Sequence, residues 1–196
     1  FGGSLITDKT KPYTARPRVI RRLGQEIKKF LVKKKTLVII GHGSGSFGHT
    51  PAAKYKTAQG FSGERGKFGA VIVHDVAAQL NRIVIKELQT LALPVVSTPP
   101  SSFLISRGGK PAKVFPEPIL TLLENGLIPV IYGDVIWDAQ QGSTIFSTEK
   151  VISAILPLLR KAGYKSEMVI HCGTTDGVYD KIEQPLRKFL LKTLIK

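Results

Sequence analysis

The sequence predicts an α/β fold with a mostly parallel central sheet, and two patterns along the chain lead to this prediction. Short apolar runs recur along the chain, and segments with apolar residues at helical spacing lie between them. Strands that are apolar along their whole length are typical of parallel sheets covered by helices on both faces. The 196 residues are 42% hydrophobic, which is enough for one sizeable core. We therefore expect a single domain over residues 1–196.

Four apolar runs are candidate buried strands, since each is short and most are rich in branched side chains. They are Thr36–Ile40, Pro94–Thr98, Ile128–Tyr132 and Met168–Cys172. Phe1 is expected to end a further strand whose earlier part precedes this sequence. In sheets of this kind ligands bind at the carboxyl ends of the strands. The loops that follow the strands should therefore hold the functional residues.

Four segments between the strands have the apolar spacing of helices. They span residues 19–30, 73–91, 118–125 and 148–162. Gly126 and Gly163 lie just past the last two segments, where glycine commonly ends a helix. Pro157 lies inside the last segment, so we expect that helix to kink or to end early there.

The chain is strongly basic, with 29 Lys and Arg residues against 14 Asp and Glu residues and a formal charge of +15. This balance favours anionic partners through long-range attraction. The basic residues concentrate between Arg16 and Lys35 on the polar side of a predicted helix, and we interpret them as a solvated face. The aromatic residues are not interleaved with the basic ones, and no known nucleic-acid-binding module is visible. We therefore expect no nucleic-acid partner.

Neither membrane insertion nor sulfur chemistry is indicated. No uninterrupted apolar run approaches the roughly 18 residues that a membrane span needs, and the first residues lack the layout of a signal peptide. Cys172 is the single cysteine, so neither an intrachain disulfide nor a cysteine metal cluster can form. We expect a cytoplasmic protein with no membrane partner.

Two loops that follow predicted strands are unusually rich in glycine. The first contains Gly2, Gly3 and Ser4 and leads to Lys9, and the second runs from Gly41 to His49. Glycine lets backbone N–H groups approach an anion closely, so two such loops side by side suit an enzyme that transfers a phosphoryl group. Neither loop has the spacing of a Walker A motif or of a dinucleotide-binding fingerprint. Each loop alone is also compatible with a tight strand-to-helix turn.

Five segments, taken in order, resemble the signature segments of the isopentenyl phosphate kinases, a family in the amino acid kinase superfamily. They are Phe1–Lys9, Gly41–His49, Tyr132–Val135, Ser147–Glu149 and Thr175–Tyr179. The resemblance covers essentially the whole chain. It implies an open αβα sandwich, with ATP over the C-terminal half and the phosphorylated acceptor over the N-terminal half.

The resemblance also implies roles for individual residues. Lys9 resembles the lysine that stabilises charge on the transferred group, and His49 resembles the histidine that donates a hydrogen bond to the acceptor phosphate. Residues of the ATP side are implied to be Gly2, Gly3, Ser4, Asp176, Gly177, Val178 and Tyr179. Residues of the acceptor side are implied to be Gly43, Ser44, Gly45, Gly48, His49, Gly133 and Asp134. Read without the resemblance, Lys9 is also compatible with a surface lysine and Asp134 with a turn cap.

The implied activity is ATP-dependent phosphorylation of isopentenyl phosphate to isopentenyl diphosphate, with ATP and Mg²⁺ as cofactors and no metal bound directly by side chains. A related kinase that acts on a carboxylate or phosphonate, of the acetylglutamate, glutamate or fosfomycin type, is the alternative. The segment Phe68–Leu80 is expected to supply part of the wall around the prenyl tail. His42, His74 and His171 have no assigned role. The resemblance further implies a homodimer.

The resemblance also implies that the sequence is incomplete at both ends. The family has a lysine on its first strand just before the glycine pair, and the present sequence begins after that position. It also has a Thr-Gly-Gly-Met-type segment beyond the Gly-Val-Tyr segment, which is not found after Asp180.

Overall fold

A computed structural model describes residues 1–55, 60, 63–165 and 168–174 of the chain, without the side chains of His49 and Ala53. The α-helices are α1 (Gly3–Ile6), α2 (Pro17–Lys33), α3 (Gly45–Tyr55), α4 (Gly63–Gln89), α5 (Glu117–Glu124) and α6 (Thr148–Lys161). The strands are β1 (Ile40–His42), β2 (Val95–Ser97), β3 (Leu104–Arg107), β4 (Lys110–Val114), β5 (Ile128–Tyr132), β6 (Asp134–Asp138) and β7 (Gly142–Phe146). A 3₁₀ turn covers Pro100–Ser102.

The central sheet is parallel and has the strand order β1-β5-β2. Phe1 extends it beyond β1, because its nitrogen donates to the Gly41 carbonyl oxygen at 2.5 Å and its own carbonyl oxygen accepts from the Gly43 nitrogen at 3.0 Å. This is the hydrogen-bond pattern of a parallel pair. Phe1 therefore occupies a strand position beside β1, as the sequence predicts.

Helices cover both faces of this sheet, which gives the αβα layering that the sequence predicts. β5 is buried along its whole length, and Val130 and Ile131 lie in two different apolar clusters because successive side chains point to opposite faces. The first cluster contains Ile20 of α2 and Leu80 of α4, and the second contains apolar residues of α5 and α6. A strand buried on both faces needs an almost continuous apolar run, so β5 lies where it was predicted.

A second sheet of four strands has the order β4-β3-β6-β7. It consists of two antiparallel hairpins that meet where β3 runs parallel to β6. The carboxylate of Asp138 joins the turns of both hairpins, since it accepts hydrogen bonds from the backbone nitrogens of Gly108, Gly109, Gln140 and Gln141 at 2.8–3.0 Å. These bonds hold the pKa of Asp138 well below its ordinary value against the opposing effect of desolvation. The sequence did not predict this sheet.

Three sequence predictions need correction. Thr36–Ile40 was expected to be a strand, but regular pairing begins only at Ile40 and continues to His42. Met168–Cys172 is not a strand in the part of the chain described. Of the two outcomes expected at Pro157, a kink or an early end, the early end is wrong, because α6 continues to Lys161.

The expected helix ends at Gly126 and Gly163 are confirmed. Both glycines have positive φ, at +71° and +92°. At each end, the nitrogen of the residue that follows the glycine donates back to a carbonyl oxygen of the helix. This is the Schellman arrangement, in which glycine avoids the steric cost of the left-handed region.

α4 is long and apolar enough to cross a membrane by length and composition alone, with a mean hydropathy of 1.3 over its most apolar window. Half of that window is buried inside the protein. Leu80, Val84 and Leu88 are fully buried in the cluster between α2, α4 and the central sheet. The buried half of this window therefore belongs to the core.

Candidate active site

The two glycine segments lie against each other at the carboxyl end of β1, and we call residues 2–4 and 43–48 together the glycine bed. A β-carbon added to Gly3 would lie 2.7 Å from the Cα atom of Gly45, and one added to Gly43 would lie 2.9 Å from the nitrogen of Gly3. Such distances are shorter than real side chains allow, so only glycine permits this approach of the two backbones. Gly45 also has a φ of +48°. The sequence-based expectation that the loops lie side by side is confirmed.

Thr7 fastens the two halves of the glycine bed together. Its hydroxyl donates to the carbonyl oxygen of Gly3 at 2.6 Å and accepts from the backbone nitrogen of Ser46 at 3.0 Å. Thr7 is fully buried, so these bonds form away from water. The second bond engages the start of α3, where the helix dipole places partial positive charge. Thr7 therefore fixes the first turn of α3 against residues 2–4, and the Ser46 nitrogen is used in this contact.

Lys9 and His49 each follow one segment of this bed along the chain. Lys9 follows α1 in a turn and is exposed, and within the described ranges its side chain has no hydrogen bond or ion pair. His49 belongs to the first half of α3 by its backbone, and its side chain is outside the description. The assigned roles of both residues stay predictions.

Asp134 is the first residue of β6 and is 1% exposed. Its carboxylate accepts hydrogen bonds from three groups: Nδ1 of His74 at 3.0 Å, the hydroxyl of Ser101 at 3.2 Å and the backbone nitrogen of Val135 at 2.7 Å. The bond to Asp134 raises the pKa of His74, since the carboxylate stabilises the protonated ring. A buried carboxylate with this many partners is an organising group, so Asp134 does more than cap a turn.

His74 was assigned no role from the sequence, and the structure places it beside Asp134. The two residues are 60 positions apart in the chain, so no local pattern connects them. The His74 side chain remains 33% exposed, and its ring centroid lies 6.0 Å from that of Trp137. Only the packing of α4 over β6 brings this pair together.

His42 is fully buried at the end of β1 and belongs to a chain of polar contacts. Its Nδ1 lies 3.1 Å from the carbonyl oxygen of Gly43, and its Nε2 lies 3.1 Å from Nδ2 of Asn81. The Oδ1 atom of Asn81 accepts from the hydroxyl of Ser97 at 2.5 Å. Every contact is satisfied when His42 is neutral, with the proton on Nδ1 and a lone pair on Nε2. Burial lowers the pKa of His42 to about 4, consistent with this state.

The C-terminal half is tied to the same region by Thr148 and Cys172. The hydroxyl of Thr148 donates to the His42 carbonyl oxygen at 2.6 Å, and the Ser147 hydroxyl caps α6 by accepting from the Lys150 nitrogen at 3.3 Å. The nitrogen of Gly2 donates to the Cys172 carbonyl oxygen at 2.7 Å. The second signature residue of the Ser147–Glu149 segment therefore supports the end of β1.

The four residues predicted for the nucleotide side at Asp176, Gly177, Val178 and Tyr179 lie outside the described residues. Gly2, Gly3 and Ser4, predicted for the same side, belong to the glycine bed. Among the residues the structure describes, no group of three or more His, Cys, Asp or Glu side chains could hold a metal ion.

A small apolar cluster lies between α4, β6 and α3. Ala70, Val73 and Val135 are buried in it, and Ala52 and Ile145 pack against them. Val73 and Ala70 come from the segment predicted to line an acceptor tail. Val76, from the same segment, packs instead in the main core with α2 and the central sheet.

A parallel αβα sandwich with a glycine bed at the carboxyl edge of its sheet defines the class of α/β proteins that bind phosphate groups there. The comparison with known families agrees: the amino acid kinase family matches residues 1–189. The chain therefore belongs to the amino acid kinase family. An aspartate kinase from Synechocystis, at 13% identity and a TM-score of 0.54, shares the fold over 79% of this chain and 26% of that one.

Within that family the chain is similar to isopentenyl phosphate kinases. It is 30% identical over 188 residues to the enzyme of Methanocaldococcus jannaschii, a match that covers 91% of this chain and 68% of the relative. A crystal structure of Thermoplasma acidophilum isopentenyl phosphate kinase in a product complex superposes with a TM-score of 0.77 at 29% identity, covering 92% of this chain and 70% of that one. The chain thus spans about two thirds of the length of these relatives.

Proposed function

We propose that this protein transfers the γ-phosphoryl group of ATP to isopentenyl phosphate, which yields isopentenyl diphosphate and ADP. The observation that carries the proposal is the glycine bed, in which two separate segments meet at a spacing that only glycine allows. Phosphoryl transfer depends mainly on positioning and on charge stabilisation, and a bed of backbone amides supplies both. The identity of the acceptor is taken from the names of the similar proteins, which are isopentenyl phosphate kinases.

In the proposed reaction an oxygen of the acceptor phosphate attacks the γ-phosphorus of ATP. The new P–O–P bond forms while the bond from the γ-phosphorus to the bridging oxygen breaks, and ADP leaves with that oxygen. Gly2, Gly3 and Ser4 would hold the ATP phosphates, and Lys9 would stabilise the charge on the transferred group. Mg²⁺, bound to the ATP phosphates, would neutralise further charge.

The acceptor phosphate would bind Gly43, Ser44, Gly45 and Gly48, at the start of α3. The helix dipole favours an anion there. His49 would donate a hydrogen bond to the same phosphate. Gly133 and Asp134 would complete this side, and the buried contacts of Asp134 with His74 and Ser101 support an organising role.

The prenyl tail would lie against the cluster of Ala70, Val73 and Val135. This cluster joins α4 to β6 next to Asp134, and it is separate from the main core that contains Val76. Each methylene buried there would contribute roughly 0.8 kcal/mol.

The nucleotide side is proposed to include Asp176, Gly177, Val178 and Tyr179, within one domain over residues 1–196. A homodimer and a cytoplasmic location also stay predictions of the resemblance. Light scattering on the purified protein would test the dimer.

A substrate panel tests the proposed activity. ADP release would be followed with ATP and Mg²⁺ in the presence of isopentenyl phosphate, acetylglutamate, glutamate or fosfomycin, with a chain extended to the full length of its relatives. Of the four acceptors, we expect only isopentenyl phosphate to stimulate ADP release. Turnover of one of the other three acceptors without any response to isopentenyl phosphate would reject the proposal in favour of a carboxylate or phosphonate kinase.

Two substitutions test the separate roles of Lys9 and His49. Lys9→Ala should lower kcat with a smaller change in the acceptor KM, because the charge it stabilises develops in the transition state. His49→Ala should raise the isopentenyl phosphate KM about tenfold to a hundredfold, the cost of a charge-assisted hydrogen bond, and His49→Gln should recover part of this. Lys11→Ala is the matched control for Lys9, since Lys11 is exposed in the same turn. Wild-type kcat in Lys9→Ala, or wild-type acceptor KM in His49→Ala, would reject that assignment.

A further inference from the structure

A cleft opens at the carboxyl ends of β2 and β5. Its volume is about 340 Å³, and its walls come from α4, the 3₁₀ turn and the ends of the two strands. None of the residues that line it belongs to the glycine bed. Carboxyl ends of parallel strands are where α/β sheets bind ligands, and this volume is within the range of small-molecule sites.

Two basic side chains, Arg82 and His74, face this cleft. Arg82 is exposed on α4 and has no ion pair with any residue in the described ranges. His74 is held by Asp134 through Nδ1, which leaves Nε2 as its available ring nitrogen. The raised pKa of His74 favours its protonated form. The Asp134 side chain, which accepts from His74, is fully buried, and no carboxylate is among the groups that line the cleft.

The serine hydroxyls of the cleft have already used their protons. Ser97 donates to Asn81, Ser101 donates to Asp134, and Ser102 donates to the carbonyl oxygen of Pro99. A hydroxyl has one proton and two lone pairs, so these oxygens can only accept a further hydrogen bond. The cleft therefore offers the N–H groups of Arg82 and His74 as hydrogen-bond donors. The serine oxygens serve as hydrogen-bond acceptors.

We infer that this cleft binds a small hydroxylated anion, with its phosphate or carboxylate group on Arg82 and His74 and its hydroxyl groups on the serine oxygens. None of the residues that line this cleft is assigned to the proposed acceptor site, although His74 and Ser101 both contact Asp134, which is. The inference does not depend on the proposed kinase activity, because it concerns other residues and is tested by binding alone.

Three probes of similar size separate the two recognition features. Glycerol 3-phosphate carries both the anion and the hydroxyls, n-propyl phosphate carries only the anion, and glycerol carries only hydroxyls. Binding can be followed by the fluorescence of Trp137, the single tryptophan, whose ring lies 6.0 Å from that of His74. Isothermal titration calorimetry under the same conditions covers the case in which the fluorescence does not respond.

We expect saturable binding of glycerol 3-phosphate, weaker binding of n-propyl phosphate and none of glycerol. Arg82→Gln should weaken glycerol 3-phosphate binding at least about tenfold, because it removes a charge-assisted contact. Lys86→Gln is the matched control: Lys86 is exposed one turn further along α4 and does not line the cleft, so its loss should change the affinity by less than about twofold.

Three outcomes would overturn the inference. The first is no saturable signal by either method. The second is equal weakening by Arg82→Gln and Lys86→Gln, which would show only a general effect of net charge. The third is a loss of glycerol 3-phosphate affinity in His49→Ala as large as that in Arg82→Gln, which would place the bound probe in the proposed acceptor site.

Discussion

The buried His42 makes a quantitative prediction for the pH dependence of stability. Its folded pKa of about 4 lies below the ordinary value of 6.5 because burial penalises the charged ring. The unfolded state therefore binds more protons than the folded state in this range. The stability that His42 contributes is complete above pH 6.5 and is lost as the pH falls through the folded pKa.

The expected size follows from these two pKa values. Relative to about pH 7.5, proton linkage lowers the free energy of unfolding by about 1.4 kcal/mol at about pH 5.5 and by about 3 kcal/mol at about pH 4. Carboxylates such as Asp138, whose pKa is also lowered, add to the loss at the acidic end. A comparison with a variant that lacks the His42 ring removes their contribution.

The assay is urea unfolding of the wild type and His42→Gln at several pH values between about 4 and 7.5. Glutamine does not titrate, so the variant should lose less stability than the wild type over this range, by about 1.4 kcal/mol down to about pH 5.5 and about 3 kcal/mol down to about pH 4. A constant offset from altered packing does not affect this difference in slope. His171→Gln, which removes a histidine at an exposed position, is the control. Parallel pH profiles for wild type and His42→Gln would refute the reasoning.

Three other predictions test the surroundings of the site. Asp134→Asn should lower the pKa of His74, so the pH midpoint of Trp137 fluorescence should move to lower pH, and an unchanged midpoint would contradict the assigned contact. Val73→Phe should penalise longer prenyl phosphates more than isopentenyl phosphate in kcat/KM, whereas equal losses for all chain lengths would remove Val73 from the tail site. Asp138→Asn should lower the free energy of unfolding in urea by about 1.5–3 kcal/mol, because an amide cannot accept from the backbone donors of both hairpin turns as a carboxylate does. If Asp138→Asn had the free energy of unfolding of the wild type, Asp138 would not stabilise the two hairpin turns.

Strands of the central sheet could be predicted where they are buried on both faces, because such strands appear in the sequence as continuous apolar runs. β5 was predicted at its exact bounds, and β2 within one residue at each end. The second sheet left no such trace, because β4 is mostly exposed and carries two lysines. Only Gly133 separates β5 from β6. Gly133 and Asp134 were therefore interpreted as a loop, whereas the chain passes there from the central sheet to the second sheet.

A local sequence pattern also cannot specify which strands pair with each other. The run Thr36–Ile40 is apolar, yet regular pairing starts at Ile40, opposite Val130 of β5. Met168–Cys172 has the composition of a strand but forms none in the described residues. A strand needs a neighbour to satisfy its backbone groups, and composition does not specify that neighbour.

The sequence by itself determined the chemical class of the site, since two glycine-rich segments after strands already indicate phosphate binding and their order carries the family resemblance. The tertiary structure decided which side chains support that site. Asp134 meets His74 across 60 residues, His42 meets Asn81 across 39, and Thr148 meets the His42 carbonyl oxygen across 106. Each of these contacts satisfies a buried polar group, and such partners are set by the packing of distant elements and not by the spacing of residues along the chain.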